Sequence, residues 1–271
     1  MLLAGAVGYL LGEVYAQGGG LVLLPLAVVI ALLSAAGSYF AGDRLVLAIS
    51  RAREVSPEEE PGLHDIVDAL AAGTGIPKPR VYVIEEAAPN AFATGRDPQH
   101  ASVAVTRGLL RMMDRPELEG VLAHELSHVR NFDTRFLLIV TVLVGMVAIL
   151  SNLFLRSLWF GGGRRRRDSA GGILAIVGIV LAILAPIAAQ LIRFAVSRQR
   201  EYLADASGAL LTRYPAGLAG ALRKIAASTE RLPAANDATA PLYFANPLKR
   251  AGSLFDTHPP IEERIRRLES M

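Results

Sequence analysis

The chain has 271 residues, of which 52% are hydrophobic and 20% are charged, and its formal net charge is +3. Soluble domains average about a quarter charged residues, so this composition favours a membrane protein. The chain contains no cysteine, which excludes disulfides, thiolate metal sites and cysteine nucleophiles. The small basic excess is not interleaved with aromatic residues, so no nucleic-acid partner is expected.

The chain begins with two apolar segments, residues 1–17 and 21–41, which Gly18–Gly20 separates. The second segment carries no charge and is long enough to cross about 30 Å of hydrocarbon as a helix. The first is shorter and contains Glu13, and its alternative interpretation is a signal peptide. No basic residue precedes its apolar run, so a transmembrane hairpin over 1–42 is favoured.

The polar block at 43–135 is predicted to begin with a helix and to continue with two strands. The stretch SPEEEPGLHDIVDALAAGTG is typical of an amphipathic helix that Ser56 caps and that Gly73–Gly75 end. The segments RVYVI (80–84) and SVAVT (102–106) are rich in β-branched residues and are predicted to be short strands. The stretch between them, APNAFATGRDPQH, is predicted to be a turn-rich connection.

The next predicted helix begins at Asp114 and Pro116 and carries the motif HELSH. Residues four apart share one helix face, so His124 and His128 can both direct a ring nitrogen at one Zn²⁺ about 2.0–2.1 Å away. Glu125 lies one residue around the helix and can act as general base toward a water that the metal activates. The alternative is two surface histidines beside a glutamate, and this pattern arises by chance in on the order of 1% of chains this long.

A third protein ligand has to come from elsewhere in the chain. One established class places a histidine six residues after the second motif histidine, where this sequence has Thr134. A distant glutamate is the other common solution, and the best candidate is Glu201 in EYLAD. Asp205 follows on the same helix face and would orient a histidine ligand by accepting its hydrogen bond. By itself, EYLAD is also compatible with a solvated helix face.

A second transmembrane hairpin is predicted over 136–194, with apolar segments at 136–155 and 173–192. Two crossings return the chain to its starting side, so both halves of the metal site would lie in one compartment. Arg164–Arg167 stand between the two segments. Either these arginines bind lipid headgroups, or the hairpin enters the membrane without fully crossing it. Both alternatives keep the metal ligands together.

The distribution of arginine next to the apolar segments predicts the orientation. Eight lie on the side of the metal site and five on the other side, so the positive-inside rule places the site in the cytoplasm. The eight are Arg44, Arg51, Arg53, Arg130, Arg135, Arg193, Arg198 and Arg200, and the five are Arg156 and Arg164–Arg167. The second polar block, 195–271, is predicted to hold helices at about 198–213, 216–229 and 260–270, with a loop at about 231–259.

In this order, the motifs resemble those of the HtpX-type membrane zinc proteases, which belong with the CAAX prenyl proteases in a wider group. The resemblance covers nearly the whole chain. It includes both hairpins, NAFATG (90–95), HELSH (124–128), EYLAD (201–205) and THPPIEERI (257–265). The arginine run and Gly161–Gly163 are not part of the family pattern, and they leave the depth of the second hairpin open.

The resemblance implies a mainly α multi-pass protein of the cell (inner) membrane. Its cytoplasmic domain would be a gluzincin-like α+β zinc protease domain with a small sheet. One Zn²⁺ per chain would be held by His124, His128 and Glu201, with Glu125 as general base. The implied function is an endopeptidase of the stress response and protein quality control, and its implied substrates are misfolded or damaged membrane proteins.

The resemblance also implies that Asn90 and His258 face the substrate and its oxyanion. The backbone around NAFATG would then offer an edge to which an extended substrate adds as a strand, although a plain turn is the alternative. His258 precedes two prolines, which hold it in extended backbone and suit a fixed donor to an oxyanion. The alternative is a loop with no chemistry. Arg264 is expected to pair with an acidic group that the sequence does not identify.

Two other functions remain open at this level. A CAAX-type prenyl-protein protease would need a cavity for a lipid chain, and such relatives usually have more than four spans. A membrane scaffold with a structural zinc would usually fill all four coordination positions with protein ligands, and no fourth ligand is evident. The sequence does not predict an oligomeric state.

Overall fold

The computed structural model describes residues 29, 37, 39–140, 198–230, 242–245 and 259–271. Most of the two predicted hairpins, Arg164–Arg167, most of the 231–259 loop and His258 lie outside this part of the chain. Among the described residues, none of the helices combines the length and hydropathy that a membrane crossing needs. The chain divides into one compact unit of Met1–Phe40 and Val142–Leu191 and another of Ala41–Thr141 and Ile192–Met271. The sheet and the candidate metal ligands belong to the second unit.

A mixed four-stranded sheet has the strand order β1-β2-β4-β3. The strands are β1 (Arg53–Glu54), β2 (Arg80–Ile84), β3 (Ala91–Thr94) and β4 (Ser102–Thr106). Strands β2 and β4 are parallel, whereas β1 pairs with β2 and β3 pairs with β4 in antiparallel fashion. All residues of β4 are buried, so both faces of the sheet are covered there.

Strand β3 corrects the predicted turn-rich connection between β2 and β4. Its sequence, AFAT, contains two alanines, which have low strand propensity, and it is flanked by turn residues. All four residues are nevertheless buried, because β3 lies between β4 and the helix that carries the histidine motif. Tertiary packing therefore overrides local propensity and forms an edge strand.

Helix α1 (Pro61–Thr74) begins later than predicted. Ser56 does not cap it; the backbone N–H of Ser56 donates to the Glu59 carboxylate in a preceding turn. Proline is tolerated in the first turn of a helix but not in its interior, so the helix begins at Pro61. Gly75 ends the helix in the left-handed conformation, at a φ of 72°. The helix therefore ends within the predicted range, Gly73–Gly75.

Helix α2 (Arg107–Met112) follows β4 directly, and helix α3 (Arg115–Arg130) follows α2. Asp114 begins α3 with a capping box: its side chain accepts from the Glu117 N–H at 3.0 Å, and the Glu117 side chain accepts from the Asp114 N–H at 2.9 Å. The predicted start of this helix is confirmed. Nearly all of α3 beyond its first turn is buried, because it packs against β3, α1 and the C-terminal helices.

The C-terminal part of the unit adds α4 (Arg198–Thr212), α5 (Pro215–Ala227) and α6 (Ile261–Glu269), close to the predicted ranges. Helices α4 and α5 pack on α3, and α6 packs on α4 and α5. Gly208 allows α4 to approach closely, since a Cβ there would lie 3.0 Å from the backbone nitrogen of His124. This close approach sets the spacing between the two helices that supply the candidate metal ligands.

Candidate metal centre

The structure brings the three predicted metal ligands together in the interior. His124 and His128 project from one face of α3, and their Nε2 atoms lie 3.1 Å apart. Glu201 on α4 places its carboxylate oxygens 3.7 Å from Nε2 of His124 and 3.6 Å from Nε2 of His128. All three side chains are buried.

Each histidine is held by a carboxylate at its other ring nitrogen. Nδ1 of His124 lies 2.9 Å from Asp205, and Nδ1 of His128 lies 3.0 Å from Asp133. A carboxylate accepts the Nδ1–H proton, which directs the Nε2 lone pair of each ring into the space between them. Two lone pairs that face each other at 3.1 Å require a cation between them.

The donor set fits a divalent metal ion. A tetrahedral ion that bonds two nitrogens at about 2.05 Å holds them about 3.3 Å apart, which is close to the spacing of the two Nε2 atoms. Within the described part of the chain, donor atoms of His124, His128 and Glu201 form a group in which all lie within 4.8 Å of one another. Two imidazoles and a carboxylate can therefore bind one ion and leave a fourth position to a smaller ligand.

The two histidines differ in their proton affinity when no metal is bound. Burial lowers the pKa of His124 to about 4. Burial also opposes the charged form of His128, but the bond to Asp133 and the charges of Glu201 and Glu125 outweigh it and raise the pKa to about 9. A proton between the two Nε2 atoms is therefore held by His128 in preference to His124. A metal ion has to displace this proton.

Glu125 lies beside the candidate metal ligands and is 3% exposed. Burial raises its pKa to about 7, although the neighbouring His128 charge and a backbone hydrogen bond from Ala93 oppose that shift. A carboxylate with a pKa near 7 can accept and return a proton at neutral pH. Glu125 shares with His124 and His128 a cavity of about 10 Å³, which has room for about one water molecule.

Arg264 pairs with Asp205, which identifies the acidic group that the sequence left open. Nε and Nη2 of the arginine donate to the two carboxylate oxygens at 2.8 and 2.7 Å, and the arginine is fully buried. Burial alone would raise the pKa of Asp205, but the Arg264 charge holds it well below its usual range. Asp205 therefore stays ionised and can accept a hydrogen bond from His124. Through Arg264 and Asp205, helix α6 is thus connected to the candidate metal site.

Asp133 is a residue of the site that the sequence analysis missed. On a continuous helix, a residue five positions after His128 would point about 140° away from it. Helix α3 ends at Arg130, however, and Phe132 adopts a left-handed φ of 61°. This turn returns the chain so that Asp133 reaches the ring of His128. Asn131 after the last basic residue is the available signal for a helix end there.

The two predicted substrate residues are placed differently. Asn90 immediately precedes β3, is 3% exposed, and hydrogen-bonds through its side chain to the backbone of Ala245. His258 lies outside the described residues, two positions before Pro260 and α6. A role for either residue toward a substrate stays a prediction.

Comparison with known proteins identifies the family. A family model described as Peptidase family M48 matches residues 57–271. The chain belongs to peptidase family M48. A Protease HtpX homolog from Thermoanaerobacter pseudethanolicus is 49% identical over 271 residues, which cover 98% of this chain and 90% of that protein. A second Protease HtpX homolog, from Pyrococcus furiosus, is 49% identical over 269 residues, with the same coverage of both chains. These two proteins confirm the predicted resemblance to the HtpX-type proteases.

Among solved structures, S. mikatae Ste24p has a similar fold, with a TM-score of 0.53 at 19% sequence identity. The similarity covers 89% of this chain and 57% of the Ste24p chain. Family membership makes the chain a metalloprotease that acts on proteins, and its M48 domain combines helices with a small mixed sheet.

Metal binding at pH 7 should release at least one proton per ion, because His128 has to lose its proton to become a ligand. Apparent affinity should therefore fall about tenfold for each unit that the pH falls below about 9, and it should level off above that value. Calorimetric titration of the detergent-purified, metal-stripped chain in two buffers of different ionisation enthalpy measures the release. No proton release at pH 7 would contradict the assignment of the proton to His128.

Substitution of Asp133 should weaken metal binding without removing a ligand. Asp133→Ala leaves Nδ1 of His128 without its acceptor, so we expect about 10–100-fold lower affinity, with a smaller loss in Asp133→Asn. The matched control is Asp68→Ala, which removes an exposed carboxylate on α1 that pairs with Lys78. Competition with a chromophoric chelator gives the affinities. Equal affinity in Asp133→Ala and wild type would show that the contact does not orient the ring.

Proposed function

We propose that the chain is a zinc-dependent membrane endopeptidase in which His124, His128 and Glu201 hold one zinc ion and Glu125 is the general base. The observation that carries the proposal is the position of Glu125, buried in the same cavity as the three candidate ligands with a pKa near 7. The set of two imidazoles and a carboxylate suits zinc, and membership of family M48 supports hydrolysis of peptide bonds.

Zinc, when bound, polarises the substrate carbonyl and lowers the pKa of a water molecule. The Glu125 carboxylate would accept a proton from the attacking water and return it to the leaving amine, as its buried position in the same cavity as the histidines allows. Asp205 and Asp133 keep the two imidazoles in the tautomer that presents Nε2. Asn90 would hold the substrate backbone, and His258 would donate to the developing oxyanion.

A structural zinc site is a poorer explanation for these residues. Structural sites usually fill four positions with protein ligands, whereas the group found in the described part of the chain has three. A purely structural site also has no use for a buried glutamate that is not a ligand. Burial of Glu125 opposes its ionised form, so a function that uses the carboxylate explains its presence better.

The membrane assignment is supported by composition and by the four apolar segments of the sequence, two in each hairpin. We propose that both hairpins anchor the catalytic unit at the cytoplasmic face of the cell membrane. Misfolded or damaged membrane proteins are the proposed substrates, in stress-related quality control, since the chain resembles HtpX-type proteases. The bilayer itself is then a partner of the apolar segments.

Replacement of the proposed base should abolish cleavage and leave metal binding intact. We expect Glu125→Gln to lower the rate on an unfolded test protein about 10²–10⁴-fold in the detergent-purified, zinc-restored chain. Zinc should remain bound at about one ion per chain, since the glutamine replaces no ligand. Glu119→Gln, on the outer face of the same helix, is the matched control and should keep wild-type activity.

Two outcomes of this experiment would contradict the proposal. Equal cleavage by Glu125→Gln and the wild type would show that Glu125 is not the base or that a contaminant cuts the substrate. Stoichiometric zinc without cleavage by the wild type, in detergents and in reconstituted bilayers, would favour the scaffold interpretation.

A further inference from the structure

A short irregular segment, Leu242–Ala245, lies against the edge of β3 that does not pair with β4. The carbonyl of Ala91 accepts from the N–H of Phe244 at 2.8 Å. The Asn90 side chain binds both backbone groups of Ala245: its oxygen accepts from the N–H at 3.2 Å, and its nitrogen donates to the carbonyl at 2.9 Å. β3 is the last strand of the sheet, so this is the edge at which an additional chain could pair.

The side chains of the segment are packed as tightly as its backbone. The Phe244 ring meets the His124 ring edge to face at 5.0 Å and lies below the Arg264 guanidinium, which also donates to the Phe244 carbonyl at 3.3 Å. The Tyr243 ring packs on Phe92 at 5.2 Å. Each residue of the segment is at most 6% exposed. The backbone polar groups of Phe244 and Ala245 are thus all satisfied by neighbouring elements.

The segment also closes the space around the proposed base. Leu242, Tyr243 and Phe244 form one wall of the cavity that contains Glu125 and the two histidines. This cavity is about 10 Å³, which is enough for a water molecule and far too small for a peptide. A substrate strand that paired with β3 through Ala91 and Asn90 would therefore have to take the place of this segment.

We propose that Leu242–Ala245 is an internal competitor that occupies the edge of β3 to which a substrate strand would add, and that a protein substrate has to displace it to be cleaved. This inference rests on the proposed endopeptidase function. The contacts from Ala91 and Asn90 use only backbone groups of the segment, so they would bind a substrate of almost any sequence. The same groups cannot bind both chains at once. The apparent affinity for substrate is then the intrinsic affinity multiplied by the fraction of molecules in which the segment is released.

Cysteine labelling tests the displacement directly, because the chain contains no native cysteine. Ala245→Cys is made in the inactive Glu125→Gln chain, so that the substrate is bound and not consumed. A saturating unfolded test protein should accelerate maleimide labelling of this cysteine at least severalfold. The matched control is Ala221→Cys in the same background, at a buried position of α5 away from the segment.

The outcomes of the labelling experiment separate the inference from the proposed function. An unchanged labelling rate at position 245, in a protein whose active form cleaves the test protein, would overturn the internal competitor and leave the protease intact. Acceleration at both positions would indicate general loosening and would also overturn it. Acceleration at 245 alone, without any cleavage by the active form, would support displacement and contradict the endopeptidase.

A kinetic measurement uses the hydroxyl that anchors the segment. The hydroxyl group of Tyr243 donates a hydrogen bond to Oγ of Ser50 at 3.3 Å. Tyr243→Phe removes this hydrogen bond with little change of side-chain volume. If the segment competes, its release becomes easier and KM should fall roughly two- to tenfold with kcat unchanged. Tyr82→Phe, which loses a hydroxyl bond to Glu54 within the sheet, is the control and should not change KM. An unchanged or higher KM in Tyr243→Phe would overturn the proposal.

Discussion

The close approach of two buried imidazoles is the constraint on which the candidate site depends. His124 and His128 meet through Nε2 at 3.1 Å, and each is held at Nδ1 by a carboxylate. Two neutral rings in this position would oppose their lone pairs, and two charged rings would repel each other. One cation between them resolves both conflicts, and Glu201 supplies part of the negative charge that stabilises it in the interior. A proton and a metal ion therefore compete for the same place.

The surrounding helices and sheet fix the positions of these side chains. Arg264 binds Asp205 with two hydrogen bonds, so α6 fixes the carboxylate that orients a histidine of α3. Gly208 lets α4 lie directly against the backbone of α3. Strand β3, which also packs on α3, presents an edge whose backbone and Asn90 bind a segment of the same chain. The helix that carries the metal ligands and Glu125 thus also packs against the strand that binds Leu242–Ala245.

Sequence patterns predicted the parts of the molecule whose structure is determined locally. Helix α3 was predicted from Asp114 and Pro116 at its start, and β2 and β4 were predicted from their β-branched residues. The meeting of Glu201 with the two histidines was an expectation from motif spacing and resemblance, and the structure brings the three together. Strand β3 and the contact of Asp133 were missed because they depend on tertiary packing and on the left-handed turn at Phe132. The position of Leu242–Ala245 depends on contacts with distant residues, which local sequence does not encode.

X-ray absorption at the zinc edge tests most directly whether the two imidazoles and Glu201 hold one ion. The sample is the detergent-purified full chain with one equivalent of zinc. We expect a four-coordinate shell of nitrogen and oxygen at about 2.0–2.1 Å, with the multiple scattering of two imidazoles. Glu201→Gln should lose affinity and keep the two imidazoles. A six-oxygen shell, or one without both imidazoles, would contradict a metal centre built on His124 and His128.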